Sequence, residues 1–162
     1  MVIIEDTRQK SGQHNKKHLH FDSMGVQMLR NSLPFGDYCY PPSISVDTKE
    51  NIDEIAQNLT GEHERFRHEC ERAQQADCHL YILIETEWPI RSVEDMPKWM
   101  NPRSPISRKA VTGERLKKIM ETMSHRYGVT FMFCHPDNAA EMILRILNGE
   151  FEDEQGNNGG GS

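Results

Sequence analysis

Leu80-Tyr81-Ile82-Leu83-Ile84 sets five largely apolar side chains in a row. A strand with one wetted face alternates apolar and polar residues, so an unbroken run marks a strand covered on both faces. Such a strand belongs at the centre of a sheet with helices above and below it. Val129-Thr130-Phe131-Met132-Phe133-Cys134 reads as a second buried strand. Between the two lies the clearest helix of the chain, Gly113 to Tyr127, with Leu116, Ile119, Met120, Met123 and Tyr127 on one face and Gly128 at the position that closes a helix.

The N-terminal half supplies further strands. Val2-Ile3-Ile4 ends at the polar cluster Glu5-Asp6-Thr7-Arg8, and a His- and Lys-rich stretch then passes into a short helix closed by Gly25. A second strand starts at Val26 and Met28 and leads through Leu33-Pro34-Phe35 to Gly36-Asp37-Tyr38. Tyr40-Pro41-Pro42-Ser43 signals a turn, and Ile44-Ser45-Val46-Asp47-Thr48-Lys49 alternates with period two, so the pair reads as a β-hairpin. Ile52, Ile55, Ala56 and Leu59 mark an amphipathic helix ended by Gly61, and Glu62 to Ala76 continues as a charged helix with Phe66, Cys70 and Ala73 on one stripe. Trp88 to Thr112 carries four prolines and little periodicity and reads as a long loop. Asp137 to Leu147 forms the last helix, stopped by Gly149. Hairpin strands followed by strands alternating with helices predict an α/β fold with a mixed sheet. One domain over residues 1–149 is expected, with an acidic, Gly-rich flexible tail over 150–162.

With 36% hydrophobic and 27% charged residues the chain has the composition of a folded domain rather than a disordered one. No apolar run approaches the ~18 residues of a membrane span, and Met1-Val2-Ile3-Ile4 is too short for a signal peptide. The four cysteines lack Cys-x-x-Cys pairing, so a reducing, cytoplasmic setting is expected and neither a zinc ribbon nor a disulfide framework is indicated. A net charge of −6 argues at first against nucleic acid as a partner. Four of the acids (Glu150, Glu152, Asp153, Glu154) lie in the tail, however, and without them 21 acids face 19 bases. Positive charge gathers in Lys10 to Lys17, including Lys16, and in Arg103 to Lys118, including Arg108 and Lys109; these segments are candidate DNA contacts or, equally, ordinary solvated loops.

The chemistry centres on the strand Ile44 to Lys49. Alternation turns Asp47 and Lys49 to one face, about 6.7 Å apart along the strand, and the hairpin brings Asp37 back towards the same edge. Two carboxylates and a lysine converging there suit phosphodiester hydrolysis: carboxylate oxygens hold Mg²⁺ or Mn²⁺, and the ammonium orients or activates water. Taken alone, Asp47-Thr48-Lys49 reads first as a solvated strand edge with a cross-strand ion pair.

Asp6-Thr7-Arg8-Gln9, Gly36-Asp37-Tyr38 and Val46-Asp47-Thr48-Lys49-Glu50-Asn51-Ile52-Asp53 stand in the order and spacing of motifs in the XPF family of structure-specific nucleases, and Leu83-Ile84-Glu85 looks alike as well. The chain resembles the nuclease domain of that family over nearly its whole length. The resemblance implies a restriction-endonuclease-like three-layer core, a central mixed β-sheet flanked by helices, and a divalent-metal-dependent endonuclease acting on branched or flapped DNA. It assigns metal binding to Asp37, Asp47 and the carbonyl of Thr48, and catalysis to Lys49. Asp6 completes the acidic cluster, Arg8 contacts phosphate or braces the carboxylates, and Asp53 stands behind them or is a solvated first-turn acid. Asp47, Thr48 and Gln9 replace the family's usual Glu, Arg and Glu. The helix-hairpin-helix modules of larger members find no counterpart after Leu147, so a homodimer or a DNA-binding partner protein is expected to supply part of the grip. The alternatives are a catalytically silent DNA- or partner-binding module, and a restriction-type or nicking nuclease. His18-Leu19-His20 lacks a second pair for zinc, and Trp88 and Trp99 either stack on unpaired bases or pin the loop.

Overall fold

The computed structural model describes residues 1–40 and 43–152. Six strands form one sheet in the order β2-β1-β3-β4-β5-β6. They are β1 (Val2–Asp6), β2 (Gln27–Asn31), β3 (Tyr38–Tyr40), β4 (Ile44–Lys49), β5 (His79–Glu85) and β6 (Thr130–Cys134). Helices α1 (Asn15–Ser23) and α5 (Ala139–Leu147) cover one face; α2 (Ile52–Thr60), α3 (His63–Gln75) and α4 (Gly113–Tyr127) cover the other. The sheet is mixed: β1 pairs with β2 and β4-β5-β6 run parallel, while β3 is antiparallel to both β1 and β4. This is the three-layer α/β core the sequence predicts.

The apolar run of β5 splits between two cores as period-two geometry requires. Leu80, Ile82 and Ile84 pack with α2, α3 and α4, whereas Tyr81 and Leu83 pack with α1 and α5, and none of the five exceeds 1% exposure. Each such side chain contributes about 1.5–3 kcal/mol by leaving water. β4 lies beside β5 in register, Ser45 opposite Leu80, Asp47 opposite Ile82 and Lys49 opposite Ile84. Asp47 and Lys49 therefore occupy the α2–α3 side of a strand buried along its whole length.

Two elements differ from the expectation. The second strand is in fact two, because β2 leaves the hairpin altogether and pairs parallel to β1 at the sheet edge, and only the three-residue β3 returns against β4. Pro34 has no N–H for a ladder and Gly36 sits at φ +72, so residues 32–37 bend the chain across β1 instead of extending one strand. The Pro41-Pro42 turn lies outside the described residues. The Trp88 to Thr112 segment is not structureless: Val93–Lys98 form a 3-10 helix whose Met96 is fully buried, and Gly113 packs so tightly on it that a Cβ there would stand 1.9 Å from the Met96 carbonyl oxygen. Of the expected tail, Glu150 to Glu152 are described, and they contact the domain through Arg145–Glu150 and through His79 and Tyr81 on Glu152; residues 153–162 lie outside the described residues. No helix among the described residues is long and apolar enough to cross a membrane.

Gly36 is fixed by space as well as conformation. A Cβ at that position would fall 2.2 Å from the Ser45 hydroxyl, which is itself fully buried and cannot retreat. Gly36→Ala is expected to lower unfolding stability by about 2–3 kcal/mol from combined αL strain and overpacking, measured by urea denaturation; an unchanged midpoint would show that the turn relaxes freely.

Candidate active site

The register of the β3–β4 hairpin builds the site. The ladder ends at Tyr38 opposite Val46, and beyond it the Asp37 N–H also donates to the Val46 carbonyl at 2.8 Å, which brings the Asp37 side chain to the Thr48 backbone N–H, next to Asp47 in the chain. The Asp6 N–H donates to the Asp37 carbonyl at 2.8 Å, which carries the end of β1 to the same place. A cleft of about 470 Å³ opens there, bordered by Asp37, Asp47, Thr48, Lys49, Glu69 and Arg8 among others.

Asp37 is fastened at both oxygens. Its Oδ2 accepts from the Thr48 backbone N–H at 2.8 Å and from the Thr48 hydroxyl at 2.7 Å, and its Oδ1 accepts from the Gln9 amide. Gln9 in turn is 2.6 Å from His14 Nε2 through its own carbonyl oxygen. Lys49 Nζ stands 2.8 Å from Asp47 Oδ2 and 5.8 Å from the Phe66 ring centre. That ionic contact lacks hydrogen-bond alignment, and Asp47 Oδ2 is otherwise a buried oxygen with no hydrogen-bond partner. Glu69, from α3, enters the cleft and accepts from the Gly36 N–H at 2.8 Å.

Burial, and then the Asp47 charge, push the Asp37 carboxyl up to about 7, against the opposing pull of the Thr48 donors. Burial and Asp47 likewise raise Glu69 above the usual carboxylate range. Burial disfavours the Lys49 ammonium, but Asp47 and then Asp37 outweigh it and hold this lysine above its ordinary value. Lys49 is thus a buried cation among carboxylates that repel one another, with Arg8, Lys10, Arg65 and Arg72 also bordering the cleft.

This donor set suits a hard divalent cation. Asp47 Oδ2, buried with only the Lys49 ammonium beside it at 2.8 Å, belongs to a polar cleft that Asp37 and Glu69 also border, and these carboxylates offer oxygen ligands. Among the described residues no three His, Cys, Asp or Glu side chains form a ready metal cage. A carboxylate pair that leaves most positions to water is a usual Mg²⁺ arrangement.

The structure brings Asp6, Arg8, Lys10, Asp37, Asp47, Thr48 and Lys49 into this one cleft. Asp6 is engaged by Arg8 Nε and by the Leu33 N–H, and the Arg8 guanidinium also donates to the Leu33 carbonyl at 2.8 Å. Arg8 therefore braces Asp6. Other predicted residues lie elsewhere. Asp53 lies outside this cleft, about a quarter-turn round α2 from Glu54, where it accepts from Gln57 at 3.0 Å and lies 3.7 Å from Arg103. Lys17 is buried in an ion pair with Glu85 at 2.8 Å, Lys16 is engaged by Asp137, and Arg108 and Lys109 border a separate cleft. Gln9, His14 and Glu69 were not foreseen as members of the site. Gln9 carried a signal in its place beside Asp6 and Arg8; Glu69 carried none, since it borders an ordinary apolar helix stripe.

The raised Asp37 carboxyl has a sign for stability. Between about pH 4 and 7 the unfolded chain ionises this group before the folded chain does, so the stability it contributes is fully present below pH 4 and lost by pH 7. In metal-free protein Asp37→Asn is expected to exceed the parent in stability at pH 8 by on the order of 2 kcal/mol and to match it near pH 4. Thermal melts in EDTA across that range check this; parallel pH profiles for the two proteins would show that Asp37 is not the responsible group.

The ERCC4 domain profile matches residues 5–146. No curated protein matches the chain. Among solved structures, XPF from Aeropyrum pernix superposes with a TM-score of 0.64 at 21% identity, over 94% of this chain and 68% of that one. The XPF from Aeropyrum pernix in complex with DNA gives a TM-score of 0.65 at 20% identity, over 94% of this chain and 66% of that one. The matched region is thus about two thirds of those longer chains, and at this identity the likeness speaks for the fold. With the family profile covering nearly all of the described residues, the chain belongs to the ERCC4-domain family and has the fold of the XPF nuclease core.

Proposed function

We propose that this chain is a divalent-metal-dependent DNA endonuclease whose cutting site is the Asp37–Asp47–Lys49 cleft, with branched or flapped DNA as its substrate. The observation that carries the reading is the convergence in one cleft of Asp37, held by the Thr48 N–H and hydroxyl, with Asp47 and Lys49, which lie 2.8 Å apart. Family membership and the fold shared with an XPF bound to DNA support DNA as the ligand.

Asp37 and Asp47 would hold Mg²⁺ or Mn²⁺, with the Thr48 carbonyl as a further oxygen. The bound cation would supply charge stabilisation at the phosphoryl oxygens and acidify a water. The chain's own groups supply the rest. The Thr48 N–H and hydroxyl fix the plane of the Asp37 carboxylate, and Gln9, itself held by His14, fixes the other oxygen. Lys49, held 2.8 Å from Asp47, is an oriented cation suited to positioning a water or a phosphoryl oxygen. Arg8, Lys10, Arg65 and Arg72 stand on the rim, where phosphates on either side of the scissile bond would rest.

The test uses end-labelled flap, fork, Holliday-junction and linear duplex DNA with Mg²⁺ or Mn²⁺. The parent should cut at least one branched form in preference to duplex, and Asp37→Asn and Lys49→Ala should each lower the rate by about 100-fold or more. Mn²⁺ should also raise the melting temperature of the parent, and Asp37→Asn should lose that shift. Intact substrates together with no Mn²⁺ shift would mark the chain as a binding module on a nuclease fold.

A further inference from the structure

Helix α2 separates two clefts. Glu54 and Asn58 face the acidic one, while Asp53, Gln57 and Thr60, about a quarter-turn round the same helix, face a second of about 940 Å³ between α2, the segment around Asn101–Val111 and the start of α4. The second cleft has the opposite charge. Arg103, Arg108, Lys109, Arg115 and Lys118 border it against only Asp53 and Glu114, in a chain whose net charge is −6.

These cations are available. Arg103 reaches Asp53 at 3.7 Å, but the side chains of Arg108, Lys109, Arg115 and Lys118 have no ion-pair or hydrogen-bond partner among the described residues, and all four are exposed. Elsewhere many of the cations are already engaged: Lys16, Lys17, Arg30, Lys98, Lys117 and Arg145 each hold a carboxylate. Four unpaired cations in one concavity repel one another, and an anion with several regularly spaced charges relieves that repulsion best. Ile106 lies between Arg103 and Arg108 in sequence and is 85% exposed, an apolar tip of the kind that packs against bases.

We propose that this cleft is a binding site for the phosphate backbone of DNA, taking the arm that leaves the cutting site over α2. The inference rests on reading the acidic cleft as that cutting site only for the direction of the strand. A helix is about 10 Å across, a span that a few nucleotides cover, so one strand lies in both clefts at once. The cleft supplies a grip on DNA within this domain, and it explains how a chain of net charge −6 holds a polyanion. Being phosphate-directed, it reads no sequence.

Binding is measured by fluorescence anisotropy with a labelled 30-nucleotide single strand and its duplex, without divalent metal so that no strand is cut, over a series of salt concentrations. The full chain is compared with Arg108→Gln/Lys109→Gln, with Arg115→Gln/Lys118→Gln, with all four substitutions combined, and with Arg126→Gln at the far end of α4 as control. The quadruple variant should bind at least tenfold more weakly on one or both DNA forms, with a salt-dependence slope smaller by about 3, and each pair should account for roughly half of that. Arg126→Gln should bind as the parent does, and all variants should melt as the parent does because the neutralised groups hold nothing in the fold. The form that loses more identifies the arm. Quadruple-variant binding within twofold of the parent with an unchanged slope would overturn the cleft while leaving the nuclease reading intact. A parent that binds through these residues yet cuts nothing would support the cleft and sink the nuclease reading; a parent that binds neither form would sink the cleft.

Discussion

β4 is buried from end to end, yet on its α2–α3 face it carries Ser45, Asp47 and Lys49 where its neighbour β5 carries Leu80, Ile82 and Ile84. A lone charge at such a place would cost several kcal/mol. Asp47 and Lys49 are tolerable because each is the other's counter-ion at 2.8 Å, and Ser45 because its hydroxyl donates to the Tyr38 carbonyl at 3.0 Å. The remaining parts of the site follow from that pair. Asp37 is brought beside Asp47 where the hairpin ends, its N–H on the Val46 carbonyl; its charge is then resisted by burial and by Asp47, and the Thr48 donors and Gln9 hold the group in one orientation. A surplus of carboxylate over cation in a closed cleft is a standing demand for one more positive charge.

That demand separates two kinds of electrostatics in the molecule. In the acidic cleft Asp6, Asp37, Asp47 and Lys49 are buried and held by neighbours, which suits a small hard ion and a single reacting bond. Across α2 the cations are exposed and unpaired, which suits a long, mobile polyanion and a salt-sensitive grip. One nine-residue helix with Asn51 capping its first turn presents different residues to each. The two faces are set by helical period alone, 54 and 58 on one side and 53, 57 and 60 on the other.

The three-layer fold was legible in the sequence wherever period and punctuation agreed. The unbroken β5 run and the α4 stripe with its Gly128 cap each name their element and what it buries, and the alternation in β4 names that strand and the face that Asp47 and Lys49 share, though not that both its faces are buried. The hairpin was half legible. Alternation could not distinguish one long strand from β2 plus β3, because strand partners are chosen across the sheet and not along the chain. The 3-10 helix over Val93–Lys98 was hidden for a related reason: its anchors are Met96 in the core and the close approach of Gly113, both contacts between distant residues.

For the candidate site, the sequence by itself determined that Asp47 and Lys49 can share a face of one strand; the resemblance to the family's motif order is what drew Asp37, Asp6 and Arg8 around them. Tertiary structure decided which groups complete that set and which leave it. Glu69 and His14 arrive from helices and Gln9 turns inward from a loop, whereas Asp53 lies outside the cleft and Lys17 is spent on Glu85. The physical reason is that a strand's geometry dictates direction over two residues, while burial, counter-ion choice and the paths of helices over a sheet depend on the whole packed chain.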